Sequence, residues 1–488
     1  MIDAAVRAKY TATIGIECHV QLKTATKLFS AVGNDAREAP ANTLVNHIDF
    51  GMPGALPVLN EAAVHLACKA AFALGSEPQR FSKFDRKHYF YPDLPMGYQI
   101  TQYDEPIVLG GSVTIRVGET EKTVGITRAH LEADAGKSTH PAGKDYSLVD
   151  LNRAGTPLLE IVSEPDMHTA AEAKAYAREL YLRMKFADVS EANLYYGNMR
   201  FDVNVSVSST DSLGTRTETK NINSFRAVEK VVDYEINRQI IAIESGEMIL
   251  QETRGWDDTN MRTFSQRTKE DAHDYRYFPD PDLPPVVLTD EYIENVRAEM
   301  PVLPDAWRQR LSKLGLDPAQ IEALLDAQVE FAEEQYLTLL ETALADADYA
   351  RQLANWLVNL DVPLVRELGT GSKVDRSRLY AATAELVKSG KLSSTNAKAL
   401  LSDLLRSDAL PDNVAAYAED KGFIQVSDEG AIMAIVESVV AANPKAADDV
   451  RGGEMKAIGF LTGQVMKASQ GKANPALATQ LIKKHLGL

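Results

Sequence analysis

The run Pro279-Asp280-Pro281-Asp282-Leu283-Pro284-Pro285 places four prolines within seven positions. Each proline lacks a backbone N–H and fixes φ, so no helix interior or central strand can contain this run. It marks a boundary, and the sequence changes character across it. Upstream, apolar and polar residues alternate with period two, and turn signals such as Pro53-Gly54, Pro92-Asp93 and Gly110-Gly111 recur. Downstream, the spacing becomes helical. Asp317-Pro318 has the form of an N-cap followed by proline at the first helical position, leading into Ile321, Leu324 and Leu325. Further helices are expected over 333–344, 351–360, 378–389 and 395–405. Pro411 and Asp412 mark a second, weaker boundary, and Asn474-Pro475 opens a last helix with Leu477, Leu481, Ile482 and Leu486 as its buried stripe. A chain of 488 residues is in any case too long for one core. The expected fold class is α+β: a strand-rich cradle with a mixed or antiparallel sheet over 1–290, a helical domain over 291–411 and a second helical module over 412–488.

With 45% hydrophobic and 25% charged residues the composition is that of a soluble globular protein. No apolar run reaches the roughly 18 residues of a membrane span, and the first thirteen residues lack the apolar core of a signal peptide. Cytoplasmic residence is expected. The two cysteines, Cys18 and Cys68, are expected as reduced, packed thiols, and no Cys/His cluster suits a structural zinc. A net charge of −17 argues against nucleic acid binding over the whole surface. The last 38 residues differ, with Arg451, Lys456, Lys467, Lys472, Lys483 and Lys484 against a single acid, Glu454. That segment is either a local footprint for a polyanion or a solvated basic helix face.

Three stretches carry the chemistry. In 14–22, Ile14, Ile16, Cys18, Val20 and Leu22 alternate with Gly15, Glu17, His19 and Gln21. On a strand, Glu17 and His19 then point the same way, about 7 Å apart. In the same manner His130, Glu132 and Asp134 alternate with Leu131, Ala133 and Ala135, and Arg200, Asp202, Asn204, Ser206 and Ser208 with Phe201, Val203, Val205 and Val207. A half-buried antiparallel sheet shows such a polar face as a matter of course. If the three faces meet, however, Glu17, His19, Glu132 and Asp202 form a cluster of like charges that a cation must neutralise. Oxygen ligands with one imidazole suit Mg²⁺ or Mn²⁺ better than zinc. The segment from Lys87 to Gln99 is dense in aromatic residues, which either stack a base or pack as a core loop. The phosphate-loop, Rossmann and nucleophile-elbow motifs are missing.

On these residues the chain closely resembles the B-subunit family of bacterial Glu-tRNA/Asp-tRNA amidotransferases, GatB. The likeness is carried by Ile14-Gly15-Ile16-Glu17-Cys18-His19-Val20-Gln21-Leu22, Pro53-Gly54-Ala55-Leu56-Pro57, Arg86-Lys87-His88-Tyr89-Phe90-Tyr91-Pro92-Asp93, His130-Leu131-Glu132-Ala133-Asp134-Ala135-Gly136-Lys137, Asp150-Leu151-Asn152-Arg153-Ala154-Gly155, Glu218-Thr219-Lys220-Asn221-Ile222-Asn223 and Asp274-Tyr275-Arg276-Tyr277-Phe278-Pro279. The resemblance implies an ATP-dependent carbon–nitrogen ligase with glutamine as amide donor. Such a protein phosphorylates the side-chain carboxylate of Glu-tRNA(Gln) or Asp-tRNA(Asn) with ATP and Mg²⁺. A glutaminase partner, the amidase of the same complex, supplies ammonia, and a small third chain belts the pair together. On that basis Glu17, Glu132 and Asp202 are the catalytic candidates, and Glu17, His19, Glu132, Glu160 and Asp202 the metal ligands. A second divalent cation is admissible. Lys87, Arg128 and Arg153 are candidates for ATP phosphates, and Lys456, Lys467, Lys472, Lys483 and Lys484 for tRNA. Tyr195 and Tyr196 stand where many members carry acids, so no acidic role is transferred there. Val45-Asn46-His47-Ile48-Asp49 lacks the cysteine pair of some members, and no zinc is expected. The rival expectation is a non-catalytic tRNA scaffold.

Overall fold

A computed structural model describes residues 2–268, 275–424, 429–454, 456–469 and 473–488. Lys472 among the site candidates, and Asp274 among the motif residues, lie outside the described residues. The chain divides into two compact units, Met1–Ala306 and Trp307–Leu488.

The first unit is built on a 12-stranded sheet. Its main strands are β1 (Thr11–Gln21), β2 (Asp85–His88), β3 (Tyr98–Thr101), β4 (Thr120–Ala133), β5 (Pro157–Ser163), β6 (Met199–Ser208), β7 (Thr217–Ile222), β8 (Glu252–Asp257), β9 (Arg262–Thr268) and β10 (Phe278–Pro279). They lie in the order β9-β8-β7-β6-β1-β5-β4-β3-β2-β10. The pairs are antiparallel except β7 with β8, which makes the sheet mixed. In β1 the alternation is realised in full. Ile14, Ile16, Cys18 and Val20 are shut from solvent while Glu17 and His19 keep partial exposure. Burying each of these aliphatic side chains contributes about 1.5–3 kcal/mol. A slip of one residue would put Glu17 and His19 into the core, so the register is strongly specified.

Three helices cover the apolar face: α1 (Glu61–Ala73) against β4, α2 (Ala170–Phe186) against β1, and α3 (Phe225–Glu244) against β6. Their starts are set locally, by Asn60, Thr169 and Ser224, whose side chains accept from the N–H groups of Ala62, Glu172 and Ala227. Cys18 and Cys68 are buried free thiols in this core. The proline run belongs to this unit. Pro279 sits at the sheet's edge strand opposite Asp85, and Arg86 binds Asp280 at 2.7 Å and Asp282 at 2.9 Å.

The second unit is helical throughout its described elements. Asp317 forms the expected cap, as a capping box with Gln320 opening Pro318–Glu330. The helix expected over 333–344 is interrupted. Gln335 takes φ +52°, and the α-helix runs only from Tyr336 to Ala343. The helix expected over 351–360 is Ala347–Trp356 followed by a π-turn, Leu357–Asp361. Four last helices, α4 (Glu429–Ala442), α5 (Pro444–Arg451), α6 (Lys456–Ala468) and α7 (Pro475–Leu486), close their own core over Ile432, Val436, Leu461, Val465, Leu481 and Ile482. Asn474 caps α7 through the N–H groups of Ala476 and Leu477. No helix among the described residues is long and apolar enough to cross a membrane.

Candidate active site

The face of the sheet away from the helices carries the predicted residues, and strand pairing explains their arrangement. His19 stands opposite Glu160 on β5 and Arg200 on β6, and Glu160 stands opposite His130 on β4. Imidazole, carboxylate and imidazole thus lie in one row across three strands. His19 Nε2 is 3.5 Å from Glu160 and 3.7 Å from Glu132, and His130 Nε2 is 3.4 Å from Glu160 and 3.8 Å from Glu132. One ligand atom each from His19, Glu132 and Glu160 can gather within 4.8 Å of one another.

A second acidic cluster adjoins the first along β1. Glu17, opposite Asp202, joins it and Glu218 within the same 4.8 Å limit. A bulge builds this cluster. The pairing of β6 and β7 shifts between Phe201 and Val203, so Lys220 and Asn221, one residue more than the register needs, stand opposite Asp202. Asn221, at φ +59°, turns its N–H onto Asp202 at 2.8 Å, a conformation asparagine tolerates well. Lys220 Nζ then lies 3.1 Å from Asp202 and 2.9 Å from Glu218. Asn204 donates to Glu17 at 3.0 Å.

The titration of these groups follows from their neighbours. Burial raises the Glu17 carboxyl, and the charges of Glu160 and Glu218 raise it further. Burial alone would lower His19, but Glu160 and Glu132 overcome it and hold the imidazole at about 9. His130 is raised by the same carboxylates against the same penalty. Glu160, although buried, is pulled well below the ordinary range by His130 and His19. Lys220 is raised, since Asp202 and Glu218 outweigh its desolvation.

The other candidates fall around this core. Lys87, on β2, has its ammonium 4.9 Å from the Tyr275 ring centroid, and Glu132 among others holds it charged despite burial. Arg128 donates to the carbonyls of Tyr103 and Gln102 at 2.7 and 3.1 Å. Arg153 pairs with Asp134 at 3.2 Å and donates to the carbonyls of Ala135 and Gly136. Asp134 lies just past the end of β4 and also meets Arg200, at 3.3 Å. The aromatic segment after Lys87 is divided. Tyr89 is half-buried, whereas Phe90 and Tyr91 are exposed. Lys456, Lys467 and Lys484 are exposed on the last four helices, and Lys483 is half-buried.

Alternation along the chain does not single out Glu218 and Lys220, and it shows His130 only as part of a polar face. The signal is present in Glu218-Thr219-Lys220, but a segment bounded by a bulge gives too short a period to stand out. The donor set fits a divalent cation. Carboxylate oxygens and one imidazole nitrogen converge from separate strands, and the buried His130 Nδ1 has no partner. The fit is better at His19, Glu132 and Glu160, because Lys220 already occupies the other cluster.

The GatB/GatE catalytic domain matches residues 12–294, and the GatB domain matches residues 338–486. The chain belongs to the GatB family. It is 45% identical over 486 residues to the B-subunit of the aspartyl/glutamyl-tRNA(Asn/Gln) amidotransferase of Bdellovibrio bacteriovorus, covering 98% of this chain and 99% of the relative. The B-subunit of Geobacter sulfurreducens is equally similar, and that of Carboxydothermus hydrogenoformans is 42% identical with the same coverage. Both acidic clusters fall inside the matched catalytic domain, and α4 to α7 fall inside the matched GatB domain.

Proposed function

We propose that this chain is the tRNA-activating component of a tRNA-dependent amidotransferase, working in the cytoplasm with a glutaminase partner and a small third chain. It activates the side-chain carboxylate of glutamate on tRNA(Gln), of aspartate on tRNA(Asn), or of both, and exchanges it for an amide. The observation that carries the reading is the convergence of His19, Glu132 and Glu160 with Glu17, Asp202 and Glu218 on one polar sheet face.

The chemistry requires such a place. A carboxylate is a poor electrophile. Its oxygen attacks the γ-phosphorus of ATP, the bond to the ADP oxygen breaks, and an acyl phosphate forms. Ammonia then attacks the acyl carbon, phosphate leaves, and the proton lost by nitrogen passes to a nearby carboxylate. The first step brings anions together; His19, Glu132 and Glu160, with Glu17 and Asp202 beside them, would hold a divalent cation, which would supply the neutralising charge. Lys87 adds a fixed cation next to Glu132. Arg128 and Arg153 offer phosphate the N–H groups that their carbonyl partners leave open. Residues 1–290 act as the catalytic cradle, 291–411 as a helical domain and 412–488 as a basic module for tRNA.

Glu-tRNA(Gln) incubated with labelled ATP, with and without the amidase partner, tests the reading. ATP consumption stimulated by Glu-tRNA is expected, together with its loss in Glu132→Ala at unchanged tRNA affinity. A non-catalytic scaffold consumes no ATP, and full activity in Glu132→Ala contradicts the assignment. Replacing Lys467 and Lys484 by glutamine should weaken tRNA binding whatever its sequence and lower the salt slope by about two. An unchanged slope would remove the basic module from the account.

A further inference from the structure

A cleft of about 560 Å³ opens where β1 ends, between the 34–39 loop and the 188–198 loop. Gln21 lines it, two residues along β1 from His19, so its wall begins roughly 7 Å from the first acidic cluster. Arg153, which pairs with Asp134 beside that cluster, lines it too. The edge of the cleft therefore lies near the proposed reaction site, at a distance that one aminoacyl group can span.

Its lining is suited to a nucleobase. Tyr196 stands at the wall, 54% exposed, with the Arg37 guanidinium 5.8 Å from its ring centroid. Arg37 is itself fixed by two bonds to Asp35, at 2.7 and 2.6 Å. The loop that presents Tyr196 is held in shape by Asp188, Ala192 and Gly197 at φ +58°, +45° and +70°, and the side-chain oxygen of Asn193 accepts the N–H groups of Tyr195 and Tyr196. A left-handed alanine is costly and marks a conformation the fold enforces. Two buried amides line the same wall. Asn198 Nδ2 donates to Gln21 at 2.7 Å and Asn34 Nδ2 to the carbonyls of Leu22 and Thr24 at 3.3 Å, while the amide oxygen of each is buried without a donor. Both oxygens are shut from the cleft surface, so these amides fix the shape of the wall and leave the exposed Tyr196 face to meet the base. The cleft's charge is nearly balanced, with four basic against three acidic side chains. That balance suits a nucleoside with one phosphodiester and is poor for a free triphosphate.

We propose that this cleft seats the 3′-terminal adenosine of the aminoacylated tRNA, stacked on Tyr196, so that the ester it carries delivers the amino-acid side chain to the acidic cluster. The idea rests on the function proposed above and names how its substrate is placed. It also gives Tyr196 a role that an acid at the same position could not perform, since an aromatic face is what a base stacks on.

The test uses the assembled amidotransferase containing the full chain, with tRNA(Gln) ending in CCA and the same tRNA trimmed of its last adenosine. The wild type should bind the intact tRNA roughly tenfold more tightly, in keeping with the stacking of one base. Tyr196→Ala should bind both alike, Tyr196→Trp should restore the preference, and the KM for ATP should stay within about twofold in both variants. The proposal is overturned if the wild type shows no preference or if Tyr196→Ala keeps it. A raised KM for ATP in Tyr196→Ala with the tRNA preference intact would overturn it as well, and would put the base of ATP in the cleft. Failure of the underlying function is distinct, because it appears as absence of tRNA-stimulated ATP consumption in the wild type.

Discussion

The two acidic clusters share strand β1 but are neutralised by different means. At His19, Glu132 and Glu160 the balancing groups are imidazoles, which can lose a proton and then serve as ligands. At Glu17, Asp202 and Glu218 the balancing group is the ammonium of Lys220, which has no lone pair to offer while charged. A cation arriving at the first cluster displaces a proton, and one arriving at the second must displace a side chain. The first is thus built to exchange its counter-charge and the second to keep it.

The largest expected effect tests this inequality directly. Glu160→Gln should reduce tRNA-stimulated ATP consumption by about 100-fold or more, and Glu218→Gln by about tenfold. Equal losses, or the reverse order, would break the distinction. A smaller effect concerns stability. Lys220→Gln leaves Asp202 and Glu218 without their cation and should cost about 1–3 kcal/mol. That is less than the loss for a fully buried pair, because the Lys220 side chain is 40% exposed. Millimolar Mg²⁺ should recover much of the loss in this variant and add little at that cluster in the wild type. Denaturant melts with and without Mg²⁺ decide it, and a variant indifferent to the ion would refute the idea.

A separate effect is in pH dependence. His19 is held at about 9, above its ordinary 6.5. In the metal-free protein the stability from its charged pairing is complete below pH 6.5 and is lost as pH rises through about 9. For the same reason the proton competes with a cation. Divalent affinity should rise at least tenfold per pH unit below about 9 and level off near it. Calorimetry across that range should show the full slope in the wild type and a shallower one in His19→Gln, where His130 alone is left to release a proton. Lys220, raised from an already high value, contributes no slope there.

Much of this is legible in the sequence because β1, β4 and β6 each alternate over many residues. That Glu17, His19, Glu132 and Asp202 each stand on the polar side of their strand follows from that period alone. The separation of those residues into two clusters does not. It depends on register, with His19 opposite Glu160 and Glu17 opposite Asp202, and on the bulge that brings Lys220 and Asn221 to Asp202. Neither strand pairing nor a bulge has a local pattern. The capped helices after Asp317 and Asn474 are readable because capping is local. The break at Gln335 is not, since nothing in its neighbourhood demands a left-handed residue. Likewise, the proline run is rightly excluded from any helix, but its aspartates bind Arg86 and keep it in the first unit, which ends at Ala306.

The central claim is that the polar face around His19, Glu132 and Glu160 activates the substrate carboxylate as an acyl phosphate. The assembled enzyme can be given Glu-tRNA(Gln), ATP, Mg²⁺ and hydroxylamine, without glutamine, and the glutamyl hydroxamate measured. The γ-hydroxamate on the glutamate side chain, counted apart from the α-hydroxamate that hydroxylamine releases from the ester without ATP, should form in the wild type at a rate that depends on ATP and should be absent in Glu132→Gln. Hydroxamate at the wild-type rate in Glu132→Gln would contradict the account.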